Sequence, residues 1–187
     1  MRRVLIAFAT LAALFPRPAA ADVITAHVWY EFLFREPGSF AVPCGAGECL
    51  PSSAGNSQPA PGQPWTTTIA TPASLIVTDA FLAGDRFEIF DRSTSLGFTS
   101  EPRRGPNCGD NPDNCVTDAA MSHGSFLLGR GSHDIAIRAA LSPFGGGAAF
   151  FRLDSVAATP EPASILLIGV GAAYALRRRR SRTFDAG

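Results

Sequence analysis

The chain contains no lysine. Its cationic side chains are 16 arginines and three histidines, and half of the arginines lie outside residues 22–159. That central stretch holds 14 carboxylates against eight arginines, a net charge of −6. A surface of that sign repels phosphate backbones and gains nothing from counterion release, which excludes nucleic acid as a partner of the body. Catalytic signatures are equally scarce. There is no Gly-x-Ser-x-Gly elbow, and Ser132-His133-Asp134, being consecutive, would point to alternate faces of a strand and cannot converge on one substrate. His27, His123 and His133 show no ligand spacing, and Gly145-Gly146-Gly147 lacks the following lysine of a phosphate loop. The expectation is a protein without cofactor or catalytic centre.

No apolar run reaches the roughly 20 residues of an ordinary membrane span. Two shorter ones stand at the ends. Met1-Arg2-Arg3 precedes Val4 to Phe15, and Ala19-Ala20-Ala21 follows ahead of Asp22. This is the basic, apolar and small-residue order of a secretory signal peptide, cut after Ala21 with Ala19 and Ala21 as the small residues flanking the cleavage position. As a helix the run would be about 18 Å long, too short to remain as an anchor.

At the other end Pro160-Glu161-Pro162 is followed by the apolar run Ala163 to Leu176 and then by Arg177, Arg178, Arg179 and Arg180. Positive flanks stay in the cytoplasm, so the arginine cluster holds the end of the tail inside while the exported body lies outside. The run would be about 21 Å long if helical, a marginal inner-membrane anchor that needs thinning or snorkelling arginines to span. Two prolines with fixed φ keep the acidic triplet extended and out of that helix. The order and spacing of residues 159–181 resemble the PEP-CTERM sorting tail of Gram-negative bacteria, also described as the ice-binding protein C-terminal domain. The resemblance implies that an exosortase, an integral membrane cysteine protease, acts near Pro160-Glu161-Pro162. It does not imply ice binding, because the tail is a transferable address. A permanent tail anchor is the alternative.

The division predicted is thus a signal peptide at 1–21, an exported body at 22–159 and a sorting tail at 160–187, with the body flanked by a signal helix and a short transmembrane helix. Within the body, glycine and proline punctuate short segments rich in β-branched and aromatic residues, and no helical apolar period is sustained. This predicts an all-β, antiparallel sandwich of about eight strands, jelly-roll or immunoglobulin-like. Residues 23–30 read as a long first strand covered on both faces. Ser74–Asp79 and Arg86–Asp91 read as a hairpin around Ala83-Gly84-Asp85, with Phe87 and Ile89 on one face and Glu88 and Phe90 on the other. Ile135, Ile137 and Ala139, and then Phe151 and Leu153, mark half-buried strands. Stretches of this body, such as Gly84-Asp85-Arg86-Phe87-Glu88-Ile89-Phe90-Asp91 and Ser142-Pro143-Phe144-Gly145, resemble a set of exported β-sandwich proteins of bacteria and fungi to which no activity is assigned. That supports the fold alone.

Residues 43–64 and 101–114 break the strand rhythm and are the expected recognition loops. They carry Cys44, Cys49 and Cys108, with Cys115 just beyond, and the close spacing within each set predicts two local disulfides in an oxidising compartment. A thiolate metal site is the alternative, at spacings poor for zinc. Asp110, Asn111, Asp113 and Asn114 are oxygen-rich, with Asp110 and Asp113 the weak Ca²⁺ candidates, but they lack the EF-hand glycine and distal glutamate. The function expected is an exported, non-enzymatic surface or matrix protein that associates with exopolysaccharide through its loops. The alternative is a glycan-active hydrolase or lyase, which would need carboxylates such as Asp79, Asp85, Glu88 and Asp91 to meet in a cleft.

Overall fold

A computed structural model describes residues 24–45, 47–49 and 51–155. The segment read as a signal peptide, with Ala19 and Ala21, and the tail with Pro160, Glu161, Pro162 and Arg177 to Arg180 lie outside the described residues. Among the described residues no helix is long and apolar enough to cross a membrane.

The body is a sandwich of two largely antiparallel sheets. Its strands are β1 (Trp29–Arg35), β2 (Ser57–Pro59), β3 (Trp65–Ile69), β4 (Ala73–Asp79), β5 (Arg86–Asp91), β6 (Thr94–Phe98), β7 (His123–Leu128), β8 (Gly131–Leu141) and β9 (Gly146–Ser155), with one short helix, α1 (Pro112–Cys115). One sheet has the order β2-β1-β9-β4-β7 and the other β3-β8-β5-β6. All pairings are antiparallel except β1 with β2, which is parallel in the register Trp29 to Ser57.

Alternation along each strand supplies the core. Ile135, Ile137 and Ala139 of β8 and Phe87 and Ile89 of β5 turn inward from one sheet, and Phe32, Phe34, Leu75, Val77, Phe151 and Leu153 from the other. The centre is aromatic: Phe32 lies 5.6 Å from Phe87 and 5.8 Å from Trp65, and Phe34 meets Phe87 edge-on at 4.9 Å. Tilted and edge-on contacts of this kind add to the burial that holds two sheets face to face.

Two sequence expectations are corrected. The first strand begins at Trp29 and not at residue 23, because His27 takes a φ of 63° that extended backbone cannot accommodate. Trp29 and Tyr30 are nonetheless buried on opposite faces. Ser74–Asp79 and Arg86–Asp91 do not form a hairpin. They are β4 and β5, and they belong to different sheets. The connection from Ala80 to Asp85 crosses between the sheets because Asp79 ends β4 with a carboxylate that collects three backbone N–H groups: Ala80 donates to Oδ1 at 2.8 Å, and Gly84 and Asp85 donate to Oδ2 at 3.2 and 3.1 Å. Phe81, at φ 56°, completes the change of direction. The facing of β5 is as the pattern predicts, since Phe87 and Ile89 are inward while Glu88 and Phe90 are outward.

Candidate functional site

The four cysteines pair locally, Cys44 with Cys49 and Cys108 with Cys115. The loops that carry them are fastened to the sheet and to each other. The segment around α1 lies over the outer face of the five-stranded sheet, where Cys115, Met121, Trp29, Phe150 and Ala80 form a second buried apolar cluster. Asn111 caps α1 by accepting from the Asp113 N–H at 3.1 Å, and Pro112 occupies the first helical turn.

The two loops also bond to each other. Ser53 donates from its backbone N–H and its hydroxyl to the two oxygens of Asp110, each at 2.7 Å. Asn56 donates to Asn111 at 2.9 Å and to Asp113 at 2.7 Å. Asp113 accepts in addition from the Trp29 indole at 2.8 Å and from Arg152 at 3.3 Å, and the Arg152 guanidinium lies 4.4 Å from the Trp29 ring centroid. The hydroxyl of Ser53 lowers the pKa of Asp110, and the Trp29 indole lowers that of Asp113. The oxygens of Asp110 and Asp113 are thus engaged by protein donors. Among the described residues no group of three or more His, Cys, Asp or Glu could hold a metal.

Beneath these loops sits Glu31, an outward residue of β1 that is 5% exposed. Burial, and then the charge of Asp110, pushes its carboxyl up to about 7. No pattern in the sequence signalled this group, since an isolated glutamate in an apolar strand reads as a solvated position.

The carboxylates named for glycan chemistry do not share a cleft. Asp79 and Asp85 approach each other in the buried joint between the sheets. Glu88 lies on the outer face of the four-stranded sheet, paired with Arg138 and accepting from Ser95 at 2.8 Å. Asp91 bonds His133 Nδ1 at 2.8 Å, while His133 Nε2 faces the Gly129 carbonyl at 3.0 Å. Both nitrogens of His133 are thereby occupied, and the ring is a structural tie between β5 and β8. Ser132 and Asp134 point the other way along β8, as alternation requires.

Two depressions open on the surface. A cavity of about 690 Å³ is lined by Thr66 to Thr71, Arg92, Ser132 and Asp134 and by Ile24 and Leu153. The chain enters and leaves beside it, where the His27 N–H bonds the Leu153 carbonyl at 2.8 Å. A smaller one of about 230 Å³ has walls of Phe40, Phe90 and Arg138 over Ala136, with Ser93 and Asp134 at its end. Phe40 is 52% exposed and its ring centroid is 6.0 Å from that of Phe90, over which Arg138 sits at 5.1 Å. Further along the same sheet, Phe98 is 49% exposed beneath Arg86.

No curated protein matches the chain, and no solved structure does. Residues 158–180 match the PEP-CTERM protein-sorting motif. The motif lies wholly beyond the last described strand and contains Pro160-Glu161-Pro162 and Arg177 to Arg180. It implies an exported, surface-sorted protein processed by exosortase, in keeping with two disulfides in a chain of four cysteines. The C-terminus of this chain thus carries a PEP-CTERM protein-sorting motif.

Proposed function

We propose that the protein is a non-enzymatic component of the cell surface or extracellular matrix, delivered by its C-terminal tail and associated with exopolysaccharide. The observation that carries this reading is the sorting motif at residues 158–180. A signal peptide brings the body across the inner membrane, the short apolar run with its arginines retains it there, and exosortase releases it at the Pro160-Glu161-Pro162 segment.

The association with glycan is supported by the open face of the four-stranded sheet. Phe40 and Phe98 are half-exposed aromatic rings there, and Arg138 over Phe90 and Arg86 over Phe98 set guanidinium groups beside them. Sugar rings offer the complementary surface, with C–H faces that stack on aromatics and hydroxyls that hydrogen-bond to polar neighbours. The absence of a shared cleft for Asp79, Asp85, Glu88 and Asp91 weighs against the hydrolase or lyase alternative.

Replacing Pro160, Glu161 and Pro162 with alanine is expected to keep the full-length chain in the inner-membrane fraction. In a second arm, Phe40→Ala with Phe98→Ala is expected to reduce retention on exopolysaccharide at least tenfold while leaving tail processing intact. Unchanged release of the tail variant contradicts the sorting reading. Unchanged glycan retention of the surface variant contradicts the association.

A further inference from the structure

We propose that Asp79, Asp85 and Ser142 form a binding site for a hard divalent cation of the Ca²⁺ class, in the joint where the chain passes from β4 to β5. The joint lies at the far end of β4 from the chain's entry and exit, since Asp79 pairs with Ala149 while Ala73 pairs with Ser155.

Three oxygen-bearing side chains meet there out of water. Asp79 is fully buried, and Asp85 and Ser142 are each 5% exposed. The Asp79 carboxylate is fixed by its three backbone N–H donors, which hold its orientation without supplying a full positive charge. Asp85 Oδ1 and Ser142 Oγ make no well-formed hydrogen bond to the rest of the described protein, and the one donor facing the Asp85 side chain is the Ser142 hydroxyl. One hydroxyl proton cannot serve both oxygens of a buried carboxylate, and native proteins rarely leave such a group without a further donor or a guest.

Charge decides what the guest is. Among the described residues no arginine or histidine forms an ion pair with Asp79 or Asp85; the neighbouring Arg86 is engaged by Glu101 and the Thr99 carbonyl. A water molecule would satisfy the Asp85 and Ser142 oxygens but would leave two buried carboxylates uncompensated. A cation satisfies both demands. Burial, followed by the charge of Asp85, pushes Asp79 up to about 7, and burial raises Asp85 as well, the behaviour of carboxylates that lack a positive partner.

The donor set is all oxygen, with no imidazole or thiolate, which selects a hard ion over Zn²⁺ or Cu²⁺. Mg²⁺ demands near-ideal octahedral geometry and keeps several waters, whereas Ca²⁺ accepts irregular shells completed by backbone carbonyls. A cramped, dry joint suits the second. The Asp110 and Asp113 loop differs in charge, because there Arg152 already pairs with Asp113.

The test is thermal unfolding of the full chain in detergent, stripped with EDTA and titrated at pH 8 with CaCl₂ or MgCl₂. Ca²⁺ at tenfold its dissociation constant is expected to raise Tm by about 4 °C, with a smaller rise for Mg²⁺. Asp85→Asn and the milder Ser142→Ala should each weaken the apparent affinity at least tenfold, and Asp110→Asn should leave it unchanged. The proposal is overturned if the wild-type chain shows no response to Ca²⁺. It is also overturned if both joint variants retain the full response, or if Asp110→Asn alone abolishes it.

Discussion

At the scale of single residues, the telling positions are polar side chains inside an apolar frame. Glu31 is the sharpest case. Folded, it binds its proton more tightly than in the unfolded chain, with its carboxyl moved from 4.5 to about 7 by burial and by Asp110. Its contribution therefore favours folding most fully below pH 4.5 and is lost as pH rises through about 7. Urea midpoints for the wild-type chain are expected to fall between pH 5 and pH 8. Glu31→Gln removes the charge that must be buried and should flatten that slope by at most about 3 kcal/mol. Parallel slopes in the two proteins would show that Glu31 reaches solvent. Asp113 illustrates the opposite situation, since an indole, an amide and a guanidinium all donate to it and lower its pKa.

At the scale of elements, the segment from Cys108 to Met121 acts as a cover. It shields Trp29 and Phe150 on the outer face of the five-stranded sheet, and the Cys108–Cys115 bridge closes it over a separation of seven residues. Loop-closure entropy assigns such a bridge about 2.5 kcal/mol. The Cys108→Ser, Cys115→Ser double variant is accordingly expected to lose about that much stability. In a Trp65→Phe background it should also show a red shift of Trp29 fluorescence, while the equivalent change at Cys44 and Cys49 should not. Identical spectra for both pairs would mean that the cover stays in place without its bridge.

The same scale shows where the sequence is legible. Ile135, Ile137 and Ala139, and Phe87 with Ile89, announce half-buried strands through a period of two that only an inward face imposes. The hairpin reading of β4 and β5 fails because two strands separated by six residues normally pair, and nothing in the alternation reveals that Asp79 gathers the N–H groups of the connection and turns it into a crossing. His27 breaks the first strand through a backbone angle, which hydrophobic periodicity does not encode. The parallel pairing of β1 with β2 joins segments that a disulfide-bearing loop separates, and the mutual bonds of Ser53 and Asn56 with residues 110–113 span more than 50 positions. The two disulfides and the sorting tail are legible for the reverse reason, since their chemistry is local in the chain.

At the scale of the whole molecule, two kinds of information sit in one chain. The body folds around an aromatic core of Phe32, Trp65, Phe87 and Phe151, and its polar devices fasten loops to sheets. The tail carries the sorting motif at residues 158–180, and under the function proposed above its short apolar run, arginine cluster and Pro160-Glu161-Pro162 triplet serve as a membrane address. The most direct test is the mass of the mature chain recovered from the cell surface of a host that expresses an exosortase. The account predicts a polypeptide that ends near Pro160-Glu161-Pro162 and lacks Arg177 to Arg180. A surface-recovered chain that still ends at Gly187 would contradict it.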